Sequence, residues 1–324
     1  GELLGPEGKG IVVMFHMMNE QRILVGLQGQ AQGSTAYLHA LGFARERLQG
    51  PAFGTRGPEQ VPIIRHPDVR RNLLWMKCNT EGLRALIFYT VYCMDRMSVA
   101  ADEEEKSTWQ DLVEMLTPIC KAYSTDRGFD VCTRSLQVHG GYGYCTEYAV
   151  EQFTRDSKIA TIFEGTNGIQ ALDLFGRKIR MREGAALNTL LERMRNDVAD
   201  AGKASELAGY AGDVNDAISA LEAVTEELLA QVSAEEAYAA YSWATPYLEI
   251  FGDIVLGWMF LWQARVAAEN GSANGGDPFY ASKLDTAKFY VGSLLPLVHG
   301  KIEAIRRNDQ AFSRMDEAMF PDPA

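Results

Sequence analysis

Residues 134–178 read RSLQVHGGYGYCTEYAVEQFTRDSKIATIFEGTNGIQALDLFGRK. Two glycine loops, GGYG from Gly140 and EGTNG from Glu164, stand on either side of a short helical pattern over about 150–160. Glycine lets a ligand approach the backbone closely, so either loop can form the floor of a site. In the second loop, Thr166 or Asn167 can cap a helix running to about Met181. The free N–H groups of that helix start would face a polar or anionic group. Glu164 follows Ile162 and Phe163, and desolvation by such neighbours raises a carboxyl pKa toward that of a general base. The same residues also describe an ordinary corner between helices, with a solvated Glu164 and a capping Thr166. No strand precedes either loop, so neither is a dinucleotide GxGxxG fingerprint.

Working outward, the texture is helical almost throughout. Val12, Phe15, Met18, Ile23, Leu27, Tyr37, Leu41 and Phe43 recur at mostly three- and four-residue spacings over 11–49, with Gln, Gly and Ser on the other face. The Gly- and Pro-rich stretch 50–67 is a loop, and Pro67 suits the first turn of a helix reaching about Ala101. A charged, solvated break from Asp102 to Lys106 precedes a helix over 107–139. From Gly184 the chain turns rich in Ala, Glu and Leu. Leu221, Val224, Leu228 and Val232 mark a buried stripe. A long helix over 233–270 is expected to kink at Pro246, and Asn270, Gly271, Asn274, Gly275 and Gly276 break it. A last helix over 277–307 would turn Phe279, Leu284, Phe289, Leu294, Leu297 and Ile302 inward. The reading is all-α: a helical domain over 11–183, then an antiparallel bundle of about four helices over 184–324.

Composition narrows the function classes. The 324 residues carry a formal net charge of −12 and are 47% hydrophobic. Without a basic stripe, binding to nucleic acid or to an anionic membrane is disfavoured. The longest apolar run, Ile254 to Trp262, is far short of a membrane span. Five cysteines, none in CxxC spacing, read as buried thiols in a reducing, cytoplasmic compartment. The five histidines are scattered, so no metal site is expected. Ser135 and His139 lie four apart but lack an orienting acid. Trp258, Phe260 and Trp262 read as core or subunit contact.

The segment QVHGGYGYCTEYAVEQFTRDSKIATIFEGTNGIQ resembles the flavin and base region of the acyl-CoA dehydrogenase family. That family shows Q-x-x-GG-x-G-[YF], EY-x-V-E, RD-x-[KR]-I and EGT-x-x-[IV]-Q in this order. MMNEQRILVGLQGQAQGSTAYLHALGFARER resembles the long helix opening the family's C-terminal domain. Residues 185–324 are similar to the extra bundle of a larger bacterial branch, which acts on 3-methylthiopropionyl-CoA and fatty acyl-CoAs. The resemblance implies an FAD enzyme that converts an acyl-CoA to its 2,3-enoyl-CoA. Glu164 would take the α-proton while the β-hydride passes to flavin N5. It implies that Gly165, Thr166, Asn167 and Gly168 touch the flavin nucleotide. Gln137, Val138, His139, Gly140 and Gly141 would lie along FAD held mainly by a partner subunit, and Arg47 would reach its pyrophosphate. Arg22 and Asn19 fall at positions facing the substrate and its CoA moiety.

By the same resemblance the partners are an acyl-CoA, an electron-transfer flavoprotein and further copies of the chain, as a homodimer or tetramer. Residues 1–10 would be the tail of a β domain. That domain and an N-terminal helical domain would be absent from this chain, leaving it little flavin affinity or turnover of its own. The second bundle would stiffen the subunit or extend its interface. Departures from the pattern are the long 50–67 loop, which replaces the family's short RxxFG connection and leaves open whether Phe53 and Gly54 are its FG. His66 and Pro67 replace a flavin-contacting glutamine, and Phe163 stands where Tyr is frequent. Two other readings remain: a DNA-binding flavoprotein relative of the alkylation response, and a silent assembly module.

Overall fold

The computed structural model describes residues 1–233, 236–271, 277–307 and 311–320. Among them there is no strand, only an isolated antiparallel bridge between Leu48 and Pro62. The chain forms two compact units, residues 1–170 and 171–324, with the boundary inside one helix.

The first unit is built on three long helices, α1 (Gly10–Glu46), α2 (Pro67–Ser98) and α3 (Glu103–His139). A short α4 (Val150–Lys158) packs on α1 and α3. Pro67 opens α2 as expected, where its missing N–H costs nothing. The acidic break is instead the start of α3. Asp102 caps it by accepting a hydrogen bond from the Glu105 N–H at 2.8 Å, and Glu103–Glu105 lie at the positive end of the helix dipole.

The inner face of α1 also differs from its apolar pattern. Val12 and Phe15 are exposed, whereas Ala36, Ala40 and Ala44 are fully buried. Gly26, Gly29 and Gly33 sit directly on the α3 backbone. A Cβ on Gly29 would lie 2.8 Å from Thr125 Cα, and one on Gly33 would lie 3.3 Å from Gly128 Cα. On Gly26 it would run into the Cys120 carbonyl. The glycine face is therefore the packed face, because only small residues let two backbones come this close.

The 50–67 stretch is a loop with order at its base. The Gln49 N–H donates to Val61 O at 3.0 Å, and the Ile63 N–H donates to Arg47 O at 2.8 Å. α5 (Asn167–Gly176) contains the unit boundary.

The second unit centres on α9 (Ala244–Gly271), whose residues Ile254–Leu261 except Gly257 are buried hydrophobics. α6 (Ala185–Ala201), α7 (Ala208–Ser233), α10 (Pro278–Phe289) and α11 (Leu297–Arg307) pack around it. α9 is long and apolar enough to cross a membrane by length and composition, but 78% of its most apolar window is buried in protein. The expected kink at Pro246 is not there. The helix stops earlier, so that a short α8 (Ala237–Ser242) precedes α9 and Pro246 falls in the first turn of α9. Of the expected break, residues 272–276 lie outside the described residues.

The last helix is also divided, by a π-turn over Tyr290–Leu294. One extra residue in that turn rotates the helical face beyond it. Leu297 is thus exposed, and Leu295, Val298, Ile302 and Ile305 face inward with Tyr290 and Val291 of the turn; Phe279, at the start of α10, is exposed as well. The short helix α12 (Ala311–Arg314) lies near the C-terminus. Four of the five thiols are buried as expected, but Cys145 is exposed.

Candidate functional site

The residues singled out in the sequence fall into two groups. The first lines a cavity of about 620 Å³ at the C-terminal ends of α1 and α3. Gln137, Val138, His139, Gly140 and Gly141 form one wall, and Arg47 and Phe43 form another. α3 ends there because Gly140 adopts φ +60°, which a side chain would resist. Both Gly140 and Gly141 have open space where a Cβ would stand, so the backbone is accessible.

The side chains beside this turn stack. Phe43 and His139 lie 4.4 Å apart and stacked, and the Arg47 guanidinium sits 5.1 Å over the Tyr142 ring. The His139 Nδ1–H donates to Ser135 O at 2.8 Å. Burial pushes this imidazole below its ordinary pKa, against the pull of the Ser135 carbonyl. Burial thus favours the neutral form of His139, and Arg47 brings a guanidinium to the cavity. His66 also lines the cavity and bonds through Nε2 to Gln49 O at 2.7 Å. Phe53 is 79% exposed in the loop and is not among the cavity walls. Sequence reasoning missed Phe43, Tyr142 and Cys145 as cavity residues; the aromatic content of the GGYGYC turn was the only signal for the last two, and Phe43 read as part of the apolar pattern of α1.

The second group surrounds Glu164, which is half-buried and not in that cavity. Glu164 has φ +57°, a left-handed conformation uncommon outside glycine, and Gly165 follows at φ +85°. A Cβ on Gly165 would lie 2.7 Å from the movable Gln170 Nε2, so it is the positive φ that favours glycine there. Ile162 is 51% exposed and does not wrap the carboxylate in this chain. The Thr166 hydroxyl caps α5, accepting from the Ile169 N–H at 3.4 Å.

Asn167 is buried, and α3 uses both ends of its carboxamide. Nδ2 donates to Ala122 O at 3.1 Å and to Thr125 Oγ1 at 3.0 Å. Oδ1 accepts from Lys121 Nζ at 2.8 Å. The side chain thus anchors the turn to its own unit. Gly168 is exposed on the first turn of α5. Arg22 is buried on α1 and close enough to Lys121 to act on it electrostatically, with Asn19 half-buried one turn earlier. Lys121, fully buried, escaped the sequence reading. Its signal was one cation inside the uncharged run LTPICKAYST. Among the described residues no group of His, Cys, Asp and Glu could hold a metal ion.

The comparisons with known proteins agree with this architecture. The family model described as acyl-CoA dehydrogenase, C-terminal domain matches residues 8–178, and one described as acetyl-CoA dehydrogenase C-terminal like matches 190–316. A 3-methylmercaptopropionyl-CoA dehydrogenase of Ruegeria pomeroyi is 37% identical over 91% of this chain and 50% of its own length. A broad-specificity linear acyl-CoA dehydrogenase of Mycobacterium tuberculosis is 33% identical over 99% of this chain and 54% of its own. The chain spans about half the length of the curated relatives it matches. An acyl-CoA dehydrogenase from Bacillus anthracis, solved with FAD, shares the fold with a TM-score of 0.72 at 22% identity, covering 98% of this chain and 52% of that one. By the match over 8–178, more than half its length, this chain belongs to the acyl-CoA dehydrogenase family.

Proposed function

We propose that this chain contributes the base and part of the cofactor cleft to an enzyme that desaturates an acyl-CoA thioester between its α and β carbons. The observation that carries this reading is the held conformation of Glu164. Glu164 stands at positive φ, followed by a glycine at positive φ, and its turn is tied through Asn167 to α3, so the backbone that carries the carboxylate is held. Glu164 takes the α-proton as the C–C double bond forms.

The residues around the cavity at the ends of α1 and α3 fit FAD. Two glycines leave their backbone open, Arg47 offers a guanidinium for a pyrophosphate, and stacked aromatic rings offer a face to a flat base. Bound there, FAD supplies the acceptor for the β-hydride. Gln137–Gly141 then line its length and Arg47 neutralises phosphate, while Gly165–Gly168, outside this cavity, border the nucleotide of the FAD beside the base, each FAD being shared between two copies of the chain. Arg22 and Asn19 face the thioester and CoA side. The substrate class is acyl-CoA, in the range of the linear and 3-methylmercaptopropionyl thioesters named for its relatives. Electrons leave to an electron-transfer flavoprotein, and the cleft is completed by a second copy of the chain. The second unit, a helical bundle packed on the large apolar side chains of α9, serves assembly.

The test is Glu164→Gln in the intact protein. The variant keeps the flavin absorbance and loses turnover by about a thousandfold or more. Turnover unchanged by the substitution would overturn the base assignment.

A further inference from the structure

Lys121 is the most costly residue inside the first unit. It has no solvent exposure, on a helix whose neighbouring residues 115–125 are all buried. An ammonium so placed loses its hydration, and an apolar side chain of similar length would fill the space without that cost. Burial lowers its pKa to about 8; Asp126 on the same helix and Glu164 on the turn pull it back up, and Arg22 on α1 pushes it further down. Its Nζ donates to Asn167 Oδ1 at 2.8 Å. Asn167 opens α5, three residues after Glu164.

Along that path the cation does two things. It fixes the oxygen end of the carboxamide whose nitrogen end is held by Ala122 O and Thr125 Oγ1, so residue 167 cannot turn. It also brings positive charge within electrostatic reach of a carboxylate that has to be anionic to accept a proton. Below the turn, the Gln170 carboxamide is fully buried with neither its nitrogen nor its oxygen hydrogen-bonded among the described residues. No hydrogen bond from Gln170 braces the turn; the anchors are those of Asn167 to α3, and Lys121 is the charged one among them. We infer that Lys121 is the positioning residue of the base: it locks the Glu164–Asn167 turn through the Asn167 carboxamide and holds Glu164 ready to take the α-proton. This rests on the reading of Glu164 as that base.

The experiment uses the intact, flavin-loaded protein. Phenylacetyl-CoA has α-hydrogens and no β-hydrogen, so exchange of its α-protons into deuterated water, monitored by NMR, reports proton removal without hydride transfer. Lys121→Met is expected to slow exchange about tenfold to a hundredfold, and to lower kcat on a desaturable acyl-CoA equally, with KM and the flavin absorbance unchanged. Lys121→Gln, which keeps a donor for Asn167 without the charge, is expected to recover part of the exchange rate. A folded, flavin-loaded Lys121→Met with the wild-type exchange rate overturns the inference. So does a loss of fold in both variants, which would make Lys121 purely structural. Glu164→Gln is run beside them. If it retains exchange, the reading of the base fails. If it abolishes exchange while Lys121→Met does not, only the role of Lys121 fails.

Discussion

The two units exclude water by different means. In the first, α1 and α3 meet through Gly26, Gly29, Gly33 and Gly128, and the interior behind them holds Gln30, Thr80, Lys121, Ser124, Thr125, Asn167 and Gln170. In the second, α9 is packed with large side chains, among them Trp258, Phe251, Phe260 and Tyr247. Close backbones leave little room for side chains to adjust, so polar groups behind them keep fixed distances. Large apolar side chains bury more surface and tolerate more adjustment, but they offer no groups for chemistry. The unit that spends its interior on polar residues is the one that holds the Glu164 turn.

The sharpest way to break this comparison is to place one side chain of moderate size at each kind of contact. Gly128→Val drives three carbons toward the Gly29 backbone, where even a Cβ would meet Gly29 Cα at 3.1 Å. Backbone yields less readily than side chain, so the loss is expected to exceed about 3 kcal/mol, at the upper end for overpacking. Amide hydrogen exchange should show it as lost protection in α1 and α3. Leu256→Ala, in the fully buried stretch of α9, removes side chain instead. It is expected to cost about 3 kcal/mol by leaving a cavity, with lost protection confined to the second unit. Equal loss of protection in both units from either variant would mean that they do not respond as separate bodies.

The same contrast explains what the sequence made legible. Helical periodicity reports large apolar residues, so the Leu221, Val224 and Leu228 stripe is buried as read. It is silent where small residues do the packing, so the glycine face of α1 read as the outer face. It also assumes one unbroken phase, which the π-turn at Tyr290–Leu294 violates, so Leu297 beyond it is exposed. The Glu164–Gly168 turn was legible because a glycine pair and a capping threonine are local signals. The anchoring of Asn167 by Lys121 was not, because it joins residues 46 apart in the chain.

A smaller effect tests the polar content of the second unit. Tyr247 is fully buried, and burial pushes its hydroxyl pKa far up, so it stays protonated. Thr225 Oγ1 lies 2.7 Å from both Leu221 O and the Tyr247 hydroxyl. Since Thr225 donates to the carbonyl, Tyr247 donates to Thr225. Tyr247→Phe removes that bond and leaves Thr225 satisfied by its own helix. The expected loss is about 1 kcal/mol in denaturant unfolding. A loss near that of Leu256→Ala would place a polar network in this unit as well, and the contrast would fall.

The smallest effect lies at the surface, where the second unit keeps most of its charged pairs. Arg306 on α11 meets Glu227 on α7 with Nε 3.0 Å from Oε2 and Nη2 2.9 Å from Oε1. The geometry is two-pronged, which favours arginine over lysine. Both side chains remain over two-fifths exposed, so water and salt screen the attraction. Arg306→Gln is therefore expected to cost only about 0.5 kcal/mol at low salt and almost nothing in about 1 M salt. The measurement is the difference between wild type and variant in urea at the two salt concentrations. A loss that persists at high salt would mean that α11 depends on this pair and not on Val298, Ile302 and Ile305 for its place on the core. A loss that disappears leaves the large apolar side chains as what holds the second unit together.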